Sequence, residues 1–309
     1  MKINRLVIEN FKSIERIELI EPSPFTVFVG PNGSGKSNIF EALEFLVLRK
    51  DISESILLGM FGGKESIIRK QNKTSELKIS CDLGIVELCN SGTIPRTDDA
   101  HSNPGYQQFI NFCRLFINKS DIEKYKISND IKLSASASNL EIVLKRLFAN
   151  HTLQQEIFEW LDLFVPEFKA VEVDDRNELH WFEHSTPDYF TKNLISNGTY
   201  NILALLTSVY QSDDKPQFLC IEEPENGLHP QVAAELVGFF RTMCEERGHY
   251  IWLNTHSESI VRKLKPEEVV LVDKRQGATQ IKQVKDMNLY DLPTDEAWLT
   301  GALGGGLPW

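Results

Sequence analysis

Apolar positions along the chain fall into short runs whose spacing alternates between period two and helical period. Residues 3–9 and 14–20 mix Ile, Leu and Val with polar positions and predict two strands joined by Asn10-Phe11-Lys12-Ser13. Pro22 and Pro24 end the second strand. Phe25-Thr26-Val27-Phe28-Val29 is apolar almost throughout and predicts a buried strand. Ile39, Leu43, Leu46 and Val47 then recur at helical spacing, predicting a helix over 39–48. Residues 51–75 show no clear period, and Gly59, Gly62 and Gly63 predict loops there. Residues 76–88 read as strand, broken near Gly84.

Residues 90–105 gather Asn, Ser, Gly, Pro and Asp and predict a surface loop. Strand returns over 112–117. The small residues 134–138 lead to an N-cap at Asn139, then to helices over 140–149 and 153–164 ended by Pro166. Residues 169–184 predict a hairpin with its turn at Asp175-Arg176-Asn177. Ile202, Leu205, Leu206 and Val209 mark one face of a helix. Two short apolar strands, 218–221 and 250–253, flank a helix that opens at Pro230 and carries Val232, Leu236, Phe239, Phe240 and Met243. Strands are expected over 268–272 and 279–284, and no regular element over 301–309.

Composition changes this picture little. With 41% hydrophobic and 25% charged residues, the chain is ordinary for a globular protein. No apolar run reaches membrane-spanning length and the start has no signal-peptide core, so a cytoplasmic protein without a membrane partner is expected. Cys81, Cys89, Cys113, Cys220 and Cys244 are scattered and read as buried apolar side chains. The net charge of -11 argues against coating nucleic acid by bulk electrostatics. It leaves room for a local basic groove, for which Lys119, Lys124, Lys126, Lys132, Lys145 and Arg146 are the candidates; the alternative is a solvated face.

The chemistry starts at Gly30-Pro31-Asn32-Gly33-Ser34-Gly35-Lys36-Ser37, which fits the phosphate-binding pattern G-x-x-x-x-G-K-[ST]. It lies between a predicted strand and a predicted helix, the context this chemistry needs. Glycines let backbone N–H groups close on phosphate oxygens, and a helix N-terminus adds positive potential. Lys36 is placed to reach the β- and γ-phosphates, and the Ser37 hydroxyl to bind Mg²⁺. Further on, the 218–221 strand runs into Glu222-Glu223. Two acids at a strand end can serve a Mg²⁺ shell and orient water, or form a solvated acidic turn. Asn254-Thr255-His256-Ser257 ends the next strand; its His either meets a γ-phosphate or is structural. Ser196-Asn197-Gly198-Thr199 opens a helix, as an anion site or as an ordinary cap.

The order of these features resembles the ABC-type ATPase head of the RecF/SMC/OLD branch, in a stand-alone AAA-type form. Gly-Pro-Asn-Gly-Ser-Gly-Lys-Ser-Asn at 30–38 is similar to its Walker A. Ile-Glu-Glu-Pro-Glu-Asn-Gly-Leu-His-Pro at 221–230 is similar to its joined Walker B and D-loop, and Thr-His-Ser at 255–257 to its switch histidine. Ile-Glu-Asn-Phe-Lys-Ser-Ile at 8–14 resembles the segment that lies along the nucleotide. The resemblance implies an α/β P-loop NTPase fold, with a mixed β-sheet lobe, a RecA-like parallel core and a helical lobe. It also implies a single head over 1–309: a β lobe with the Walker A helix over about 1–90, a lid and helical region over about 91–190, a core over about 191–285, and a tail over 286–309.

The activity it implies is ATP hydrolysis with Mg²⁺ in an ATP-sandwiched homodimer. Phe11, Lys12, Ser13, Asn32, Gly33, Ser34, Gly35, Lys36, Ser37 and Asn38 would bind ATP. Ser196 and Gly198 would cap the γ-phosphate bound by the other subunit. Ser37, Glu222 and a Q-loop glutamine, Gln71, would serve the metal; Glu223 would polarise water, His256 would sense the γ-phosphate, and Lys36 would hold the reacting phosphates. Asn197 departs from the acid or Gln common in the signature, and Glu222 replaces the usual Asp. The interval from Lys36 to Ser196 is too short for a coiled-coil arm and has no hook cysteine pair. Residues 257–309 are too few for a Toprim nuclease, and no H-E-x-x-H or other metal-nuclease cluster is present. Stand-alone heads of this kind resemble the ATPase components of two-gene bacterial anti-phage systems, which implies a separate nuclease or toxin as partner. The alternatives are a RecF-like DNA-repair clamp that binds nucleic acid directly, and a scaffold in which hydrolysis only resets assembly.

Overall fold

The computed structural model describes residues 3–49, 51–71, 76–81, 84–88, 111–117, 119, 124, 129–285 and 293–300. In chain order, β1 (Arg5–Phe11) and β2 (Ile14–Ile20) form a hairpin, and β3 (Phe25–Val29) leads into α1 (Lys36–Leu48). The aperiodic stretch that follows holds two short helices, α2 (Glu54–Met60) and α3 (Lys64–Ile67). The run broken at Gly84 is a second hairpin, β4 (Leu77–Cys81) with β5 (Gly84–Leu88), where Cys81 pairs with Gly84. β6 (Phe112–Leu115), α4 (Leu140–Phe148), α5 (His151–Phe164), β7 (Phe168–Val173), β8 (Leu179–Glu183), β9 (Tyr189–Thr191) and α6 (Asn197–Tyr210) follow. The last third is β10 (Phe218–Glu222), α7 (Pro230–Arg247), β11 (Tyr250–Thr255), α8 (Glu258–Val261), β12 (Val269–Arg275), β13 (Ala278–Gln283) and α9 (Thr294–Leu299).

Ten strands form one sheet in the order β5-β4-β1-β2-β13-β12-β3-β11-β10-β6. From β12 to β6 every pairing is parallel. Toward the other edge the β1–β2, β1–β4 and β4–β5 pairs are antiparallel. β13 splices the two parts, antiparallel to β12 and parallel to β2. The parallel strands are covered on both faces, which is why they read as unbroken apolar runs. Their alternate side chains split between two cores. Val27, Leu219, Ile221, Ile251 and Leu253 join α4 to α7 on one face; Phe28, Phe218, Cys220 and Trp252 join α1 on the other.

The differences from the expected elements have local causes. Asn139 does precede α4, but its side chain makes no cap bond. Its Oδ1 instead accepts from the Ser134 N–H at 2.8 Å, and its Nδ2 donates to the Asn129 and Lys132 carbonyls, tying the small-residue loop together. Asn150 caps α5 by accepting from the Thr152 N–H at 3.0 Å, so that helix starts two residues earlier than its apolar period. α6 is buried on every side from Tyr200 to Tyr210, beyond the single face expected. Its polar members tolerate this because Thr207 Oγ1 and Ser208 Oγ donate back to the helix carbonyls of Leu203 and Leu205, both at 2.7 Å. Gly59, expected in a loop, lies inside α2, and β9, α8 and α9 were not expected. The remaining expected elements are present, with β6 ending at Leu115. Cys81, Cys113, Cys220 and Cys244 are buried free thiols. Cys89, the 90–105 loop and the 301–309 end lie outside the described residues. Among the described residues no helix is long and apolar enough to cross a membrane.

Candidate active site

The phosphate loop is held from behind by the strand that joins the two sheet halves. Gly35 has φ of 103°, in the left-handed region that favours glycine. A Cβ on it would lie 2.1 Å from Thr279 Oγ1 and 2.7 Å from Ser13 Oγ. Thr279 Oγ1 donates to the Ser34 carbonyl at 2.9 Å and shares a 2.6 Å hydrogen bond with Ser13 Oγ, which also accepts from Asn38 Nδ2 at 2.7 Å. Lys36 lies back across the loop and donates to the carbonyls of Gly30 (2.6 Å) and Pro31 (3.0 Å). Burial lowers its pKa, against the pull of Glu223, Glu225 and Glu222. A cleft of about 330 Å³ opens here, lined by Ser13, Asn32, Gly33, Gly35, Lys36, Ser37, Asn38, Glu223, Asn254 and Lys274.

Glu222 is the last residue of β10 and only 3% exposed. Its Oε2 accepts from Ser37 Oγ and from Asn254 Nδ2 (3.2 Å), and its Oε1 from Arg114 Nε (2.6 Å). Glu223 follows with φ of 47°, its N–H donating to the Asn254 carbonyl and Oδ1. Its carboxylate accepts from Asn226 Nδ2 at 3.0 Å. His256 Nδ1 stands 3.8 Å from Glu223 and 3.9 Å from Glu225, inside ion-pair range but beyond hydrogen bonding. Glu225 Oε1 accepts from Thr255 Oγ1 at 2.5 Å, while its Oε2 is buried without a partner. Burial accordingly raises the Glu225 pKa.

Ser196 and Gly198 stand at a different cavity. Ser196 caps α6, its Oγ accepting from the Thr199 N–H at 3.0 Å. A Cβ on Gly198 would sit 2.4 Å from the Gly227 carbonyl, so the start of α6 touches the turn after Glu223 backbone to backbone. Asn201 Nδ2 reinforces this contact by donating to the Asn226 carbonyl. The groove beside it, about 610 Å³, includes Leu163, Ser196, Gly198, Gly227, Leu228 and His229 and shares no lining residue with the Lys36 cleft.

The expected nucleotide contacts therefore divide. Ser13, Asn32, Gly33, Gly35, Lys36, Ser37 and Asn38 line the cleft. Ser34 is 1% exposed, its hydroxyl buried without a partner beside them. Phe11 does not reach the cleft: β1 runs on through it, and its ring is fully buried, edge-on to Phe45. Lys12 is drawn away by an ion pair with Glu41 on α1. Gln71 is exposed against the β12–β13 turn, where a Cβ on Gly277 would meet its amide at 2.7 Å, and it does not line the cleft. The described members of the proposed basic groove are engaged locally. Lys124 pairs with Glu41, Lys132 donates to the Phe112 carbonyl, Lys145 and Arg146 meet Asp175 and Asp213, and Lys119 lies over the Phe116 ring. Lys126 lies outside the described residues.

Four residues of the site were missed from sequence: Arg114, Asn254, Lys274 and Thr279. Arg114 had left one signal, a lone charge inside an apolar strand. Asp174, Glu178 and His180 also gather on the β7–β8 hairpin. Asp174 Oδ1 is already engaged there with the N–H groups of Arg176 and Glu178, each at 2.8 Å.

The donor set fits a Mg²⁺-bound nucleoside triphosphate. It offers an ammonium, a hydroxyl–carboxylate pair at Ser37 and Glu222, and a buried hydroxyl at Ser34 with no partner of its own.

Comparison with known proteins agrees. Residues 90–262 match the family described as "AAA domain, putative AbiEii toxin, Type IV TA system", and residues 1–159 the family described as "AAA ATPase domain". The Chromosome partition protein Smc of Methanocaldococcus jannaschii is 43% identical over 61 residues, which are 20% of this chain and 5% of that protein. The DNA replication and repair protein RecF of Aliivibrio fischeri is 29% identical over 103 residues, 27% of this chain and 29% of that protein. The chain thus spans under a third of either relative's length. In fold, it is similar to the SmcHead bound to the C-winged helix domain of ScpA (TM-score 0.59, 15% identity, 94% of this chain and 99% of that one). It is also similar to the SMC head domain from Thermotoga maritima (TM-score 0.52, 15% identity, 92% and 99%).

Proposed function

The chain belongs to the AAA ATPase domain family, as an ABC-type ATPase head of the RecF/SMC branch, and from that premise we propose how its two clefts divide one reaction. In one protomer, Lys36 and the backbone of 32–35 would hold the ATP phosphates, and Ser37 with Glu222 would hold Mg²⁺, whose contribution would be to neutralise charge on the phosphate oxygens. Glu223, on the cleft wall, orients the attacking water and takes its proton. His256, whose Nδ1 stands 3.8 Å from Glu223, would sense the γ-phosphate through it. Ser196 and Gly198 of a second copy close the site over the γ-phosphate. The observation that carries this reading is the separation of the two cavities. One is lined by Asn32, Gly33, Gly35, Lys36 and Ser37 of the phosphate loop and by Glu223; the other holds the signature turn; no residue is common to them. A homodimer completes both.

Mixing tests it. K36A and S196R should each be inactive alone. Mixed in equal amounts, they should regain about a quarter of wild-type turnover, because half the dimers are mixed and each of those has one intact site. No recovery, in dimers shown to exchange, rejects the shared site.

For the wider role, we read the chain as one head that works in the cytoplasm with a separate effector, a nuclease or toxin, in bacterial anti-phage defence. The toxin–antitoxin wording of the matched family supports this reading. Purification from the native host should bring such a protein down with it. A RecF-like clamp is the second reading, favoured by the RecF likeness of the matched segment. It predicts that duplex DNA raises ATP turnover at low salt, whereas the effector reading predicts no change.

A further inference from the structure

Arg114 stands two residues behind the catalytic strand end and points its charge at it. It lies on β6, in register with Cys220 of β10, so it shares a sheet face with Glu222 and α1. Its side chain is 3% exposed. Nε and Nη2 both engage Glu222 Oε1, the former at 2.6 Å, while Nη1 reaches Glu44 Oε2 at 3.0 Å and Glu41 Oε1 at 3.4 Å. One guanidinium thus joins the end of β10 to the second and third turns of α1. Those are the two elements that carry Glu222 and Ser37.

We propose that Arg114 is a positioning residue for ATP hydrolysis, setting the Glu222 carboxylate against the Ser37 hydroxyl by bracing β10 to α1. The inference rests on the reading of Ser37 and Glu222 as the Mg²⁺ pair. A glutamate has one more rotatable bond than an aspartate and needs an outside constraint to present one chosen oxygen. Arg114 supplies it by occupying Oε1, which leaves Oε2 for the Ser37 side, where Asn254 steadies it. The brace also fixes how far the two elements stand apart. Glu44 depends on the same cation: burial raises its pKa and Arg114 pulls it back. Glu41 is shared with Lys12 and Lys124, so it anchors the far end even if one contact is lost. A lysine in this place would keep a charge but not the planar fork that reaches three carboxylates at once.

The test uses the full chain and reads ATP turnover against free Mg²⁺, with binding of a fluorescent ATP analogue in the absence of Mg²⁺ as control. R114K should lower kcat about tenfold or more and raise half-saturating Mg²⁺ at least about fivefold, as loss of a partner behind a metal ligand does. Its Mg²⁺-free nucleotide affinity should stay within about twofold of wild type, since no phosphate contact is removed. R114K combined with E222Q should be no slower than E222Q alone, because both act through one carboxylate. E44Q, which keeps a hydrogen-bond acceptor, should raise half-saturating Mg²⁺ by about two- to threefold and decides the matter if R114K does not fold. Unchanged Mg²⁺ dependence in the variants that fold, or losses that multiply with E222Q, overturns the inference. A K36A chain that binds ATP as wild type does would instead overturn the site reading beneath it.

Discussion

The two ends of strands β10 and β11 carry polar groups of opposite character. At their C-terminal ends stand Glu222, Asn254, Thr255 and, just beyond, Glu223 and His256, with Arg114 and Lys36 close by. At their N-terminal starts the groups are neutral and paired. Gln217 Nε2 donates to the Ser208 and Val209 carbonyls at 2.9 and 2.6 Å. Gln211 Nε2 donates to Gln217 Oε1 at 3.2 Å, and Gln211 Oε1 accepts from the Leu133 N–H at 2.7 Å. His249 Nδ1 accepts from the Gln217 N–H, which leaves Nε2 to donate to the Val209 carbonyl. Side chains thus satisfy carbonyls that the last turn of α6 leaves open. The starts are closed and serve the fold. The ends keep a buried Ser34 hydroxyl and a buried Glu225 oxygen without partners. Strand direction alone separates the two uses.

Perturbing each end should therefore show in a different measurement. E223Q should lower kcat about 10³-fold, since it removes a general base, while ATP still binds and holds the dimer in size-exclusion chromatography. K36A should weaken ATP binding by calorimetry about 10³-fold, because the ammonium is the one buried cation lining the cleft among the described residues. Neither should move the unfolding midpoint by more than a few degrees; a large shift would erase the contrast. The neutral end should respond to acid. Burial pushes the His249 pKa from 6.5 down to about 4, with Arg247 adding to the shift. The unfolded chain binds the proton first, so stability is full above pH 6.5 and falls as pH drops toward 4. The loss is about 3 kcal/mol at most, and H249Q should flatten that part of the pH–stability curve. Q217A should cost about 2 kcal/mol in denaturant unfolding by stranding two helix carbonyls, with kcat/KM unchanged. A fall in kcat/KM would mean that the two ends are coupled through the strands.

What could be read from sequence was what local pattern determines. The phosphate loop, the Glu222-Glu223 strand end and His256 each lie in a short window with a matching strand or helix beside it. Arg114, Asn254 and Thr279 could not be placed this way. Their partners lie 108, 32 and 245 residues away, and only the sheet order brings them together. Phe11 failed for another reason. The pairing of Phe11 with Ile14 carries β1 two residues past the expected end at residue 9 and puts the ring in the core. Asn139 shows the limit of cap rules. The residue type and place were right, yet a loop with three unmet backbone groups took the side chain first.

Lys36 already has two acceptors, the carbonyls of Gly30 and Pro31. One of its three N–H groups is left for a ligand, and any further ligand bond must displace a carbonyl. A neutral oxygen offers it nothing better than the backbone does. An anionic oxygen does, because a bond between two full charges is roughly twice as strong as one to a neutral acceptor. The resting contacts of Lys36 thus favour a charged newcomer over a neutral one wherever a carbonyl has to be displaced.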